Sequence, residues 1–250
     1  MIRELGAPIA AGKEAELFAW DGRRVLKLSK RAGDPTQAQR EAMILGAVAP
    51  LGLGPAADGV IEVNGRWGVV MERIDQPVLA SALSDPGLIP ELLDVMVTLH
   101  RRIHALPAPE GVPDLKLRLA VRIDAAERLS RELRDDLLER LQAMPEGDRL
   151  CHGDFHPFNI LGLDAEARVI DWLDATRGDA AADVCRTYLI ASAYDAGLAE
   201  GYVEAYLADA DLDRTAVEAW LPLVAAARLV ENVPDEFERL AQLARGARLG

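Results

Sequence analysis

Residues 150–172 read LCHGDFHPFNILGLDAEARVIDW and hold the densest set of polar side chains in the chain that could share one task. Two strand-like apolar runs, NILGL and RVID, flank the polar turn DAEA. In an antiparallel hairpin the first residue of one strand lies beside the last of the other. Asn159 opens the first run and Asp171 closes the second, so an amide oxygen and a carboxylate are expected to emerge together at one end. That pair suits a hard divalent cation, because Mg²⁺ takes one or two carboxylates and completes its shell with water and substrate phosphates. Asp154 lies five residues before Asn159, in the turn leading into the hairpin. A carboxylate there sits near the metal without having to be a ligand, where a group accepting a hydroxyl proton is needed.

The spacing His152-x-Asp154-x-x-x-x-Asn159, followed by Asp171, resembles the catalytic loop and metal-binding aspartate of kinases. Such a site also requires a lysine on a strand and an acidic partner on a helix. In RVLKL, Val25 and Lys27 share one strand face while Leu26 and Leu28 share the other. Glu41 precedes Ile44, Leu45 and Val48 at helical intervals, which puts a carboxylate on the apolar stripe of its helix. A charge there is costly unless paired, and Lys27 is the obvious counter-ion. Taken singly, Lys27 reads as a surface lysine and Glu41 as a solvated helix residue; the functional reading comes from their combination with Asp154, Asn159 and Asp171.

The elements that must hold these residues are legible as punctuation. LFAW and RRVLKL are split by Asp21-Gly22, and VIEV and RWGVVME by Asn64-Gly65, the strongest short-range hairpin signal. Between the hairpins, TQAQREAMILGAVAP reads as a helix stopped by Pro50. After Asp75-Gln76-Pro77 the chain turns helical: Pro90 suits a first helical turn, and Leu92, Leu93, Met96, Leu99 and Ile103 follow at intervals of three and four. A second amphipathic stretch carries Ala126, Leu129, Leu133, Leu137, Leu141 and Met144, ending at Pro145. From about Asp179 the pattern is helical again, with breaks near Gly197, Asp211 and Pro234. The expected fold class is α+β: residues 1–75 form a small antiparallel sheet lobe with one helix, a hinge lies near residues 72–77, and residues 76–250 form a larger, mainly helical lobe carrying the catalytic β-hairpin.

Composition sets the outer bounds. A chain of 250 residues, half of them apolar, can bury roughly 70 to 75% of its unfolded surface without metal or disulfide staples. Its 28 Lys and Arg face 41 Asp and Glu, a net charge of -13 that argues against binding a nucleic-acid backbone. Residues 1–75 hold 10 charges of each sign, so residues 76–250 hold 18 basic and 31 acidic residues and carry the whole excess. That asymmetry fits either cationic ligands or a solubilising surface. Only Cys151 and Cys185 are present, which favours a reducing compartment over a disulfide framework. The first residues carry Arg3 and Glu4 without an apolar leader core, and no later run approaches a membrane span. The expectation is a cytoplasmic protein with no membrane partner. The pairs His100/His104 and His152/His156, with Cys151, evoke a zinc site, but Gly153 and Pro157 disfavour a helix through the second pair. His152 is better read as holding the loop backbone, His100 as a satisfied helix histidine and His156 as a residue at a cleft mouth.

HGDFHPFN and VIDW closely resemble the signatures of the aminoglycoside phosphotransferase and choline kinase superfamily, small-molecule relatives of the protein kinases, and the likeness spans essentially the whole chain. It implies a two-lobed kinase-like fold. ATP, or GTP, would lie with Lys27 on its phosphates, Glu41 orienting Lys27, Val25 lining the same face, and the backbone of Met71, Glu72 and Ile74 meeting the base. Asp154 would be the catalytic base, and Asn159 and Asp171 would hold Mg²⁺. Gly178-Asp179 followed by Asp183 resembles the family's GDxxxD element, which implies that Asp183 braces the catalytic loop; locally, Asp179 also reads as a helix N-cap. The phosphate loop departs from the family pattern: IAAGKEAELF offers Gly12 alone, with Lys13 as a charge in place of further glycines.

Only six residues separate Asp171 from Gly178-Asp179, too few for the activation segment of a protein kinase, so a small-molecule acceptor is favoured. Residues 151–250 hold 8 basic and 18 acidic residues, pointing to a cationic or polyhydroxy acceptor such as an aminoglycoside or amino alcohol, with Asp174, Glu200, Glu231 and Asp235 as candidate contacts. The rival readings are a catalytically silent nucleotide-binding relative and an atypical protein kinase. Antibiotic-resistance enzymes and housekeeping kinases of the superfamily share these motifs.

Overall fold

The computed structural model describes residues 5–248; Arg3 and Glu4 lie outside them. The chain divides into two compact units, one of residues 1–81 with 158–173 and the other of residues 82–157 with 174–250. The composition change at residue 75 marks where strands give way to helices. The partition by compactness differs from it, because the 158–173 segment packs with the first unit.

In the first unit, strands β1 (Ala10–Ala11), β2 (Ala15–Ala19), β3 (Arg24–Ser29), β4 (Ala57–Val63) and β5 (Arg66–Glu72) form an antiparallel sheet in the order β1-β2-β3-β5-β4. Both expected hairpins are present. Ala19 pairs with Val25 around Asp21, and Val63 pairs with Arg66 around Asn64 and Gly65. Asn64 and Gly65 have φ of 53° and 76°, the left-handed pair that a two-residue turn matched to strand twist requires. On one face, Phe18, Leu26, Leu28 and Val70 form a buried cluster that Trp20, Ile61 and Val63 pack against. Lys27 lies on the other face, opposite Leu17 and Val69. Helix α1 (Thr36–Val48) buries Glu41, Ile44, Leu45 and Val48 and runs into a 3-10 turn through Pro50, whose missing N–H cannot continue the helix.

The hairpin of β7 (Ile160–Leu161) and β8 (Arg168–Val169) belongs to this unit for a physical reason. The Val169 amide donates to the Leu53 carbonyl (2.8 Å) and the Gly162 amide to the Pro77 carbonyl (2.8 Å). Trp172, fully buried, donates from Nε1 to the Val169 carbonyl at 2.9 Å.

The second unit is built around α5 (Ala180–Ala191), in which every residue from Ala181 to Ala191 is buried. Around it lie α2 (Ile89–His104), α3 (Leu115–Asp124), α4 (Arg131–Ala143), α6 (Ala196–Leu207), α7 (Arg214–Ala219), α8 (Leu221–Arg228) and α9 (Phe237–Ala244). Strands β6 (Arg149–Cys151) and β9 (Thr176–Gly178) pair beside them. The stretch from Ala126 to Met144 is not one helix. Ser130 accepts from the Leu133 amide and starts α4 there, leaving Ala126 and Leu129 buried in the preceding turn. Likewise the break expected near Gly197 falls earlier, because Asp195 caps α6 through the Leu198 amide and Gly197 lies in its first turn. Asp114, Asp179 and Asp213 cap α3, α5 and α7 in the same way, so part of the acidic excess satisfies helix N-termini. Cys151 and Cys185 are free and buried. Among the described residues no helix is long and apolar enough to cross a membrane.

Candidate active site

The first unit brings together Lys27, Glu41 and Asp171. The Lys27 ammonium donates to Glu41 Oε1 and to Asp171 Oδ1, each at 2.7 Å. Glu41 is only 3% exposed, whereas the Asp171 side chain is 44% exposed and open to a further ligand. Burial pushes the Glu41 carboxyl above its ordinary value despite the ammonium beside it. Burial works the other way on Lys27, but the two carboxylates outweigh it and hold the ammonium above its ordinary value. The trio therefore keeps a charged lysine, which explains how Glu41 can sit on an apolar helix face.

Asn159 and Asp171 lie at one end of the β7–β8 hairpin, as the sequence pattern requires. The ladder pairs Ile160 with Val169 and Leu161 with Arg168, and the Ile170 amide extends it by donating to the Asn159 carbonyl at 2.9 Å. Asp171 follows with φ of 62°, a left-handed conformation that a residue other than glycine adopts at a cost of about 1 kcal/mol. Its oxygens are hard donors, as is the Asn159 amide oxygen, so the donor set fits Mg²⁺.

Of the residues expected to meet the nucleotide, Val25, Met71 and Glu72 lie on the same sheet. Val25 and Met71 are paired and buried, β5 ends at Glu72, and Ile74 lies in the irregular stretch that Arg73 begins. Glu72 accepts from the Ala56 amide (3.2 Å) and faces Arg168 (3.5 Å). Gly12 and Lys13 are exposed in the β1–β2 turn, closed by the Gly12 amide donating to the Ala15 carbonyl at 2.9 Å. Lys30, which sequence reasoning passed over, donates to the Gly12 carbonyl at 2.6 Å and ties this turn to the end of β3.

The second unit holds the loop of His152, Gly153 and Asp154. Asp183 accepts from the His152 amide (2.6 Å) and the Gly153 amide (2.8 Å), and its Oδ2 also faces His100 Nε2 (3.0 Å) and His104 Nε2 (3.2 Å). Behind the histidines, Tyr202 lies 2.6 Å from His100 Nδ1 and Tyr206 2.7 Å from His104 Nδ1. Burial would raise the Asp183 carboxyl, but the two histidine hydrogen bonds hold it well below the usual carboxylate range. Burial, with His104 adjacent, pushes His100 down to about 3, so that it is neutral. The cluster of His100, His104 and Asp183 has metal-ligand spacing, yet every polar atom in it already has a partner in the loop, in the cluster or on α6. His152 Nδ1 accepts from the Asp154 amide at 3.3 Å.

Asp154 is flanked by His156 Nε2 at 3.4 Å and Arg186 Nη2 at 3.3 Å. Burial would raise its carboxyl, but the His156 hydrogen bond and the Arg186 charge hold it well below the usual range. Arg186 also donates to the Gly153 carbonyl (3.1 Å) and to Glu231 (2.7 Å). It was missed in the sequence, although an arginine three residues after Asp183 in an otherwise apolar helix is itself a signal. Tyr202 and Tyr206 were also missed, and His104 was read only as half of the His100/His104 pair. Each sits at helical spacing from a neighbour on its own face, but the meeting of α2 with α6 is tertiary.

Of the four acidic acceptor candidates, Asp174 and Glu231 meet on Arg122, while Glu200 and Asp235 have no contact with that pair among the described ion pairs. Asp174 pairs with Arg118 and, at 3.4 Å, with Arg122; Glu231 pairs with Arg122 (3.2 Å), Arg186 (2.7 Å) and Arg228 (2.8 Å). Glu200 pairs with Arg214 at 2.6 Å and takes the Tyr188 hydroxyl, and Asp235 is exposed on a separate 3-10 turn. Three of the four thus face the chain's own arginines, which a count of charges along the sequence could not reveal.

A search of curated protein sequences finds no match. Among solved structures, the chain is similar to a thermostable mutant of aminoglycoside phosphotransferase APH(4)-Ia in ternary complex with AMP-PNP and hygromycin B, with a TM-score of 0.69 and 19% identity over 96% of this chain and 90% of that one. It is similar to the GDP and kanamycin complex of APH(2")-IIia, with a TM-score of 0.65 and 18% identity over 97% and 90% of the two chains. A choline/ethanolamine kinase family protein from Mesorhizobium loti gives a TM-score of 0.63 and 18% identity over 94% and 84%. At these identities the likeness establishes a shared kinase-like fold. The profile of the phosphotransferase enzyme family matches residues 6–220, well over half of the chain. The chain is a member of the phosphotransferase enzyme family.

Proposed function

We propose that this protein is an ATP- and Mg²⁺-dependent small-molecule kinase that transfers the γ-phosphoryl group to a hydroxyl of a polyhydroxy acceptor, with GTP as the alternative donor. The observation that carries this reading is the Lys27 ammonium held between Glu41 and Asp171 at 2.7 Å from each. Glu41 fixes the lysine where its charge can meet nucleotide phosphates. Asn159 and Asp171 are the residues to hold Mg²⁺, which supplies charge neutralisation on the phosphates. Asp154 orients the acceptor hydroxyl; its oxygen forms the new bond to the γ-phosphorus, the bond to the β-phosphate oxygen breaks, and the proton passes to Asp154. A carboxylate held well below its ordinary range is a weak base. That suits a loose phosphoryl-transfer transition state, in which positioning matters more than early proton removal.

Three of the four acidic candidates behind the expected cationic acceptor have arginine partners, so the charge excess by itself carries little weight for that part of the expectation. The test is an ATP-consumption screen with Mg²⁺ across aminoglycosides, amino alcohols, sugars, sugar acids and a generic protein. Turnover with a small molecule is expected, and turnover with the protein alone would replace this reading by an atypical protein kinase. Asp154→Asn should abolish turnover while leaving nucleotide binding intact, and equal activity in that variant would refute the assignment.

A further inference from the structure

Beside the Asp154 loop, the second unit carries a cavity lined by Gly153, Asp174 and Asp183 and by the guanidinium groups of Arg118, Arg122 and Arg186. Its other walls are Thr176 and apolar residues, Leu119 and Val224 among them. The carboxylates of the lining already face donors: Asp174 is held by Arg118 and Arg122, and Asp183 by two backbone amides and two histidines. Arg186 is buried, touches Asp154, and has Glu231 behind it. The carboxylates an ammonium would reach there, Asp174, Asp183 and the Glu231 that faces Arg122 and Arg186, already answer donors of the chain, so a cation would gain little in this cavity.

We infer that the acceptor carries an anionic group, a carboxylate or a phosphate, that docks on the Arg118–Arg122 pair while a hydroxyl of the same molecule faces Asp154. Arginine suits this role because its planar fork matches the oxygen pair of either anion. The two arginines lie one helical turn apart on α3, so both heads reach one anion, which shares them with Asp174 and, at Arg122, with Glu231. This inference rests on the kinase reading above and specifies its acceptor.

The experiment uses acceptors of one carbon skeleton, namely glucose, glucosamine, gluconate and glucose 6-phosphate, with kanamycin as a polycation, at constant ionic strength. Binding to the whole protein is measured by calorimetry and turnover by ATP consumption. Gluconate or glucose 6-phosphate should bind more tightly than glucose, and glucosamine and kanamycin more weakly. The preference between the two anions separates carboxylate from phosphate. Arg122→Gln should weaken anion binding by at least about tenfold, the loss of charge-assisted hydrogen bonds, without changing ATP affinity, and Arg122→Lys should recover part of the loss. Arg118→Gln serves if Arg122→Gln fails to fold. No anion binding at millimolar concentration, tighter binding of the amines, or no effect of the arginine variants would overturn the inference. Phosphorylation of a cationic acceptor that Asp154→Asn abolishes would sink this inference and keep the kinase reading. Anion binding without phosphorylation of any acceptor would do the reverse.

Discussion

Replacing Lys27 by Met should reveal how much of the first unit's stability depends on neutralising Glu41. In the wild type the carboxylate is 3% exposed and its ammonium partner is 2.7 Å away. Once the lysine is gone, Glu41 either stays ionised without compensation, at a cost of about 3–5 kcal/mol, or takes up a proton. Its ordinary value is 4.5. Uptake at pH 7 therefore costs about 1.36 kcal/mol for each of roughly 2.5 pH units, or about 3.4 kcal/mol, which caps the electrostatic penalty. The sign follows: a carboxyl raised in the folded state binds more protons there than in the unfolded chain, so lowering the pH stabilises the variant relative to the wild type. At pH 5.5 the cap falls to about 1.4 kcal/mol, and the gap between Lys27→Met and wild type should close by about 2 kcal/mol. The double variant Lys27→Met/Glu41→Gln has no buried charge to compensate and should recover about 2–3 kcal/mol of the loss at pH 7. Urea unfolding of the three proteins at both pH values measures all of this. An equal penalty at pH 7 and 5.5, with a double variant no better than the single, would refute the compensation argument.

Three further outcomes follow from the second unit. Asp183→Asn leaves one of the His152 and Gly153 amides facing an NH₂ group, so it should cost about 2–4 kcal/mol in urea unfolding and depress kcat more than the KM for ATP; a loss below about 1 kcal/mol would show that the brace is dispensable. Gly153 has φ of 79°, and a Cβ there would lie 2.3 Å from the Asp174 carbonyl oxygen, so Gly153→Ala should lose at least about 2 kcal/mol and most of the turnover, read by thermal unfolding and steady-state kinetics. His100, neutral in the fold with its pKa pushed down to about 3, protonates more readily in the unfolded chain, so stability should fall with pH below about 6.5 at up to about 1.4 kcal/mol per unit; His100→Asn should flatten that slope, and an unchanged slope would assign acid sensitivity elsewhere.

The placement of the candidate site residues was legible because local rules constrain it. Asp21-Gly22 and Asn64-Gly65 force hairpins whatever surrounds them, and alternation then places Lys27 opposite the face of Leu26 and Leu28. Glu41 stood out because a charge on an apolar helix stripe demands a partner, and the end of the Asn159–Asp171 hairpin follows from strand register alone. What the sequence could not decide depends on contacts between segments far apart in the chain. The chain groups residues 158–173 with the first 81 because Val169 and Gly162 bond to Leu53 and Pro77, an attachment invisible in composition. The partners of Asp183 come from α2, and those of His100 and His104 from α6, so that network exists only once three helices have packed. Charge is the signal that a one-dimensional reading leaves most open. An excess of carboxylates along residues 151–250 suggested an acidic acceptor site, but Coulomb interactions depend on distance in space, and in space Asp174 and Glu231 meet arginines drawn from α3, α5 and α8.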